Sequence, residues 1–101
     1  MGNRKYPPLT PKEIEAILIA RGFNLHHKNG DHKYYTRIVK GKKRVAQIDM
    51  GNSIYTDQFI KLILRQCGMT REEFYCSIKS TSRKIGMQCA DKEELENWAL
   101  A

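Results

Sequence analysis

The sequence predicts a single α+β domain in which helices cover one face of a three-stranded antiparallel sheet. Two amphipathic segments, each preceded by a residue that can cap a helix, flank a middle region in which apolar and polar residues alternate. Turn-forming glycines divide that region into three strands. The order α-β-β-β-α, with short helices added at the C-terminal end, leaves the second face of the sheet open. A chain of 101 residues is long enough for one modest core.

The first helix has a complete set of start and stop signals. Thr10 is its predicted N-cap, Pro11 takes the first helical position, and Glu13 can complete a capping box. A stripe at helical spacing then combines three aliphatic side chains with the stem of one arginine: Ile14, Ile17, Leu18 and Arg21. Gly22 suits the left-handed conformation that often ends a helix.

The three predicted strands form a meander, with the sequences "FNLHHK", "DHKYYTRIV" and "RVAQIDM". Asn29-Gly30 is the strongest short hairpin signal, and Gly41 marks the second turn. If Asn29 and Gly30 are the two loop residues, His27 lies directly opposite His32 across the first hairpin.

This register assigns the strand side chains to two faces. The face under the helices is predicted to hold Phe23, Leu25, His27, His32, Tyr34 and Ile38. The open face is predicted to be basic and aromatic, with His26, Lys28, Lys33, Tyr35 and Arg37.

Helical signals return in the second half of the chain. Thr56 precedes a helix through "DQFIKLILRQC", which carries a wide apolar stripe and ends at Gly68. Thr70 and Glu73 form another capping-box pattern that starts a short helix, "REEFYCSIK". The segment "STSRKIGMQ" that follows is predicted to be a linker.

Residues 9–84 are therefore predicted to form the domain, and residues 85–101 an acidic C-terminal extension. Asp91 and Glu94 open a last helical turn, from which Leu95 and Trp98 could dock on the domain or on a partner.

Composition narrows the class of partner. The chain has 18 basic and 11 acidic side chains, and residues 1–50 alone hold 11 basic against 4 acidic ones. This excess favours a polyanion such as nucleic acid, or an acidic protein, although it also serves simple solubility. No apolar run approaches the roughly 20 residues of a membrane span, and the start lacks a secretory signal, so we expect a cytoplasmic protein without a membrane partner. Three cysteines without paired spacing predict reduced thiols and no metal or other cofactor.

All three histidines lie between positions 26 and 32. They could be ordinary strand residues with polar tips, a partial metal site, or groups that carry out acid-base chemistry, because imidazole takes and gives protons near neutral pH. The spacing alone leaves these alternatives open.

Three ordered motifs resemble the HicA family of toxin ribonucleases. They are Gly22-Phe23, Gly30-Asp31-His32 and the segment 63–68, "ILRQCG", within a match that spans about residues 9–75. The family has Ser where this chain has Asp31, and its Pro-x-His segment is replaced here by "AQIDMGN". The resemblance implies a double-stranded-RNA-binding fold, metal-independent mRNA cleavage (an mRNA interferase), His32 as the catalytic histidine, and inhibition by a HicB-like antitoxin.

On this basis the expected substrate is mRNA, and the expected partner is the antitoxin of a toxin-antitoxin system. His27 is the candidate for a second proton carrier because it is predicted to face His32. The candidate RNA-binding residues are the cations Lys28, Lys33 and Arg37, with Tyr35 as a stacking platform for a base. The alternative is a non-catalytic module of the same fold that binds RNA or DNA through its backbone.

Overall fold

The computed structural model of the protein describes residues 6–100, and its elements follow the predicted order. The helices and strands are α1 Pro11–Ala20, β1 Asn24–Asn29, β2 His32–Val39, β3 Lys42–Asp49, α2 Asp57–Cys67, α3 Arg71–Tyr75, α4 Lys79–Lys84 and α5 Lys92–Asn97. The strands form one antiparallel sheet in the order β1-β2-β3. The predicted fold class, α-β-β-β-α with additional short C-terminal helices, is confirmed.

Capping boxes start α1 and α3 as predicted, whereas Thr56, at the N-cap position of α2, makes no capping hydrogen bond through its side chain. Thr10 and Glu13 form a reciprocal capping box, with the Glu13 amide 3.2 Å from Thr10 Oγ1 and the Thr10 amide 2.9 Å from Glu13 Oε1. Thr70 and Glu73 do the same at α3, at 3.1 and 2.8 Å. Gly68 ends α2 in the left-handed conformation, with φ of 76°. These contacts span only three or four residues, which is why the sequence reveals them.

The core lies between one face of the sheet and the helices α1, α2 and α3. It includes Ile14, Ile17 and Leu18 of α1, Tyr35, Val39, Ala46 and Ile48 of the sheet, Ile60 and Ile63 of α2, and Phe74 and Tyr75 of α3. Leu9 extends this core, because its backbone pairs with that of Tyr55 in an isolated antiparallel bridge before α2. Among residues 6–100, no helix has the length and apolarity needed to cross a membrane.

The first hairpin has a different register from the predicted one. Asn29 pairs with His32, so Gly30 and Asp31 are the loop residues, and Gly30 takes a positive φ of 61°. In the second hairpin Val39 pairs with Lys42, and both loop residues, Lys40 and Gly41, have positive φ, as a type I′ turn requires. The prediction that Asn29 and Gly30 form the loop is wrong by one residue.

A bulge in β1 adds a second shift. The pairing skips His26, since Leu25 pairs with Tyr35 and His27 with Tyr34. A one-residue change of register moves every side chain of a strand relative to its partner, and a bulge reverses the alternation again. The predicted pairing of His27 with His32 is therefore wrong.

The two faces of β2 are also opposite to the prediction. Tyr35 and Val39 are buried toward the helices, whereas His32 and Tyr34 are partly exposed and Ile38 is exposed on the other face. Aromatic and aliphatic residues occur at both the odd and the even positions of β2, so the sequence pattern alone does not determine which face is buried. Contacts with α1 determine which face of β2 is turned toward the helices, because Glu15 binds both Lys33 and Tyr35.

The segment predicted to be a linker contains α4 instead. Two of its hydroxyl groups are buried and bonded, with Thr81 Oγ1 donating to the Tyr75 carbonyl at 2.6 Å and Ser82 Oγ to the Lys79 carbonyl at 3.0 Å. A run rich in Ser and Thr suggests a loop, but here local carbonyls satisfy the hydroxyls and allow burial. The prediction of a linker is wrong for this reason.

The described part of the C-terminal extension packs on the domain. The Trp98 ring lies 6.4 Å from that of Phe23, and the Arg21 guanidinium lies 5.3 Å from the Trp98 ring centroid. The Lys40 amide donates to the Ala99 carbonyl at 2.6 Å, which ties the extension to the turn between β2 and β3. The extension therefore docks on its own chain.

Candidate functional site

His32 lies at the start of β2 on the open face of the sheet. The ladder pairs it with Asn29 of β1 and with Asp49 of β3. Its Nε2 lies 3.5 Å from Asp49 Oδ2, and the two side chains are 45% and 36% exposed. Because residues directly opposite in a sheet are held by the backbone ladder, the proximity of the imidazole and the carboxylate does not depend on a loop. The result is a solvent-accessible His-Asp pair.

The turn after β3 holds the Asp49 carboxylate in place. Its Oδ1 accepts a hydrogen bond from the Gly51 amide at 2.9 Å, while the Asp49 amide donates to the Tyr55 hydroxyl at 2.7 Å. A Cβ at position 51 would lie 2.8 Å from Asp31 Oδ2 and 3.2 Å from Asp49 Oδ1, so only glycine leaves room for both carboxylates. Asp49 thus has one oxygen fixed by the backbone and the other directed at His32.

Sequence reasoning did not select Asp49, although a signal was present. With Lys40 and Gly41 as a two-residue loop, counting back from the turn pairs His32 with Asp49. The turn chemistry of Lys40-Gly41 was the information needed to find the partner of the histidine.

His27 pairs with Tyr34, two residues along β2 from His32, so it does not lie directly opposite His32. Its ring is 5.5 Å from that of Tyr34, with the two planes inclined by 35°. The geometric reason for naming His27 as a second proton carrier is therefore absent.

Of the four predicted RNA-binding residues, only Lys28 is exposed. Lys33 Nζ forms an ion pair with Glu15 at 2.8 Å, and Arg37 donates to the Arg21 carbonyl. Tyr35 is 3% exposed, and its hydroxyl also binds Glu15. The predicted basic and aromatic open face is wrong, because three of its members point toward α1.

Glu15 connects α1 to β2, and this contact makes stability depend on pH. Its hydrogen bonds with Lys33 and Tyr35 lower the pKa of Glu15, while burial and the nearby carboxylate raise the pKa of Tyr35. A lowered native pKa contributes stability that is present above the unfolded value and is lost as the pH falls through the native pKa.

We expect Glu15→Gln to lower the free energy of unfolding at pH 7 by about 1 kcal/mol, since it removes one ion pair and weakens one hydrogen bond. The gap between wild type and variant should narrow as the pH falls through the lowered native pKa of Glu15, because the carboxylate then takes up a proton. Urea unfolding at pH 7 and at a series of lower pH values tests this, with the exposed Glu96→Gln as the matched control. An unchanged gap at the lower pH would contradict the assignment.

A cluster of three exposed lysines lies away from His32. Lys40, Lys42 and Lys43 are exposed at the turn between β2 and β3, at the opposite end of β2 from His32. At about 3.3 Å per residue, the eight residues of β2 separate the two ends by roughly 25 Å. A nucleic acid strand that follows the sheet could contact both ends.

The cysteines form no site with the histidines. Cys67, Cys76 and Cys89 are free thiols, and burial raises the pKa of Cys67 to about 11, which keeps it protonated near neutral pH. Within residues 6–100, no three His, Cys, Asp or Glu side chains come together in a way that could hold a metal ion.

Comparison of the chain with protein-family models and with curated proteins found no match. Function is therefore inferred from the chemistry of the His32-Asp49 pair and from the family resemblance of its surrounding motifs.

Proposed function

We propose that the protein is an endoribonuclease that cleaves single-stranded mRNA without a metal, with His32 as the proton-transferring residue. The observation that carries the proposal is the His32-Asp49 pair on the open face of the sheet. The motif Gly30-Asp31-His32 also resembles the segment that carries the catalytic histidine in HicA toxins. The positive formal charge of +7 supports an RNA substrate.

RNA supplies its own nucleophile, which suits a protein of this size. A base takes the proton of a 2′-hydroxyl, the 2′-oxygen bonds to the adjacent phosphorus, and the bond from phosphorus to the 5′-oxygen breaks. The leaving oxygen takes up a proton, so the products are a 2′,3′-cyclic phosphate and a 5′-hydroxyl. An accessible imidazole can perform either proton transfer.

Asp49 fits the role of a positioning residue. A carboxylate beside an imidazole orients the ring and stabilises its protonated form. Asp49 is itself held by the Gly51 amide, so the histidine has a fixed partner before substrate binds. Lys28 is exposed at the same hairpin end but pairs with Lys33, on the sheet face opposite to His32. As the candidate phosphate contact, it requires the RNA strand to pass around the end of the hairpin.

We expect Asp49→Asn to lower kcat/KM for RNA cleavage by roughly 3- to 10-fold, because a half-exposed ion pair contributes about 1 kcal/mol. A loss of several thousandfold would mean that Asp49 does more than position the ring. Initial rates on a fixed RNA provide the measurement. Asp31→Asn is the matched control: it removes the same charge from a neighbouring carboxylate that makes no ion pair with His32 among the described residues.

The experiment that tests the function is incubation of purified protein with a long single-stranded RNA in excess EDTA. Cleavage that leaves 2′,3′-cyclic phosphate, or its hydrolysis product, supports the proposal. The resemblance further suggests a HicB-like antitoxin, and addition of such a partner should then suppress the cleavage.

A non-catalytic nucleic-acid-binding module is the second candidate. It is favoured by the exposed cluster Lys40, Lys42 and Lys43, which lies far from His32 and could hold a backbone without any chemistry. Salt-sensitive RNA binding without cleavage in EDTA would favour this candidate and rule out the ribonuclease.

A further inference from the structure

A groove between the outer edge of β3 and α2 opens directly beside Asp49. It encloses about 240 Å³, and its lining combines amide side chains with aromatic and aliphatic ones. The residues that matter below are Gln47, Asn52, Tyr55, Phe59, Leu62 and Gln66. The groove shares Asp49 with the His-Asp pair, whose imidazole lies 3.5 Å from that carboxylate.

We propose that this groove binds one unpaired nucleobase of an RNA substrate, next to the bond that is cleaved. The inference rests on the proposed function and extends it by assigning a base-binding pocket to the same site.

The apolar part of the groove offers a surface for a flat ring. Phe59 meets Tyr55 edge to face, with ring centroids 6.2 Å apart and planes inclined by 80°. Tyr55 is only 6% exposed, whereas Phe59 and the neighbouring Leu62 are both 53% exposed. Contiguous exposed apolar side chains often mark a binding surface, and single-stranded RNA is recognised largely by stacking of its bases on aromatic rings.

The polar part of the groove suits the edge of a base. Gln66 Oε1 accepts a hydrogen bond from the backbone amide of Gln47 at 3.1 Å. This contact holds the Gln66 carboxamide in place and leaves its NH₂ group as a donor. The side chains of Gln47 and Asn52 add further donors and acceptors to the lining. Carboxamides can pair with base edges through two hydrogen bonds.

The charge of the lining favours a base over a phosphate. None of the described residues that line the groove is Lys or Arg, and its one ionisable carboxylate, Asp49, would repel a phosphate. A neutral, flat group with hydrogen-bonding edges meets no such penalty.

The edge of β3 is closed to a peptide strand at this point. The amide of Gln47 is bonded to Gln66 and the amide of Asp49 to Tyr55, so two outward donors that an added strand would use are occupied. This arrangement favours RNA over strand addition by a protein partner.

The test measures coupling between Phe59 and one base. Short single-stranded oligoribonucleotides, each with a single abasic position, are titrated against the intact His32→Ala protein by fluorescence anisotropy, so that cleavage does not interfere. We expect one abasic position to weaken binding by roughly 5- to 100-fold, the range for loss of a stacked base. In the double variant His32→Ala/Phe59→Ala, the abasic position should no longer weaken binding. The double variant His32→Ala/Phe59→Leu should give the same result.

The matched control is Ile19→Ala, which shortens an apolar side chain of similar exposure, 57%, on α1 and outside the groove. It should keep the full dependence on the abasic position. The pocket is not a base site if the affinity depends on the abasic position in the same way for the Phe59→Ala variant and for its His32→Ala parent. The same conclusion follows if the parent binds no RNA.

Cleavage by the wild type in EDTA is scored separately. Cleavage without coupling between Phe59 and one base would rule out the base-binding pocket and support the ribonuclease. Coupling without cleavage would support the pocket and rule out the ribonuclease.

Discussion

Replacing His32 with alanine is expected to slow RNA cleavage by roughly 10²- to 10⁴-fold while leaving RNA affinity nearly unchanged, since this is the range for removal of a general acid or base. The side chain is 45% exposed and pairs with Asp49 at the surface, so its loss creates no cavity in the core. The effect should therefore appear in kcat and not in folding or binding. Single-turnover cleavage and anisotropy with the same RNA separate these quantities.

The other two histidines provide the controls. His26 lies in the bulge of β1 and is exposed, and His27 contacts Tyr34, so alanine at either position should retain most of the cleavage rate. Equal rates for wild type and His32→Ala would rule out the proposed role of His32. A large loss with His27→Ala would revive His27 as a second proton carrier.

Replacing Arg21 with alanine is expected to lower the free energy of unfolding by about 3 kcal/mol, through lost hydrogen bonds of a charged group and the cavity left behind. Arg21 is 1% exposed, and it donates to Ser77 Oγ at 2.8 Å and to the Glu73 carbonyl at 2.7 Å. Its guanidinium also stacks on Trp98 at 5.3 Å, and burial lowers the pKa of this arginine. One side chain thus links α1, α3 and the C-terminal extension.

Urea unfolding of Arg21→Ala, Arg21→Met and the exposed control Arg83→Ala tests the size and origin of the effect. Arg83→Ala should change the free energy of unfolding by no more than about 0.5 kcal/mol. Methionine keeps most of the apolar stem, so a smaller loss with Arg21→Met measures the polar contacts alone. A loss below about 1 kcal/mol for Arg21→Ala would contradict the proposed link, because a buried side chain of this size normally costs more.

The candidate site was only partly accessible from the sequence. The resemblance selected His32, and the turn Lys40-Gly41 contained enough information to find Asp49. The groove beside Asp49 was not predictable, because it joins Gln47 of β3 to Gln66 of α2, 19 residues apart, and that contact depends on how the helix lies on the sheet.

By itself, the sequence determined the order of elements from α1 to α3, the caps at Thr10 and Thr70, and the glycine that ends α2, because each of these depends on contacts within a few residues. The tertiary structure decided which face of β2 is buried. Lys33 and Tyr35 point toward α1 because Glu15, 18 and 20 residues away along the chain, provides their polar partner. The bulge at His26 and the one-residue shift of the hairpin also appear only in the tertiary structure. Successive side chains of a strand point to opposite faces, and both faces of β2 carry apolar residues. The buried face is therefore not determined until a helix packs against the strand.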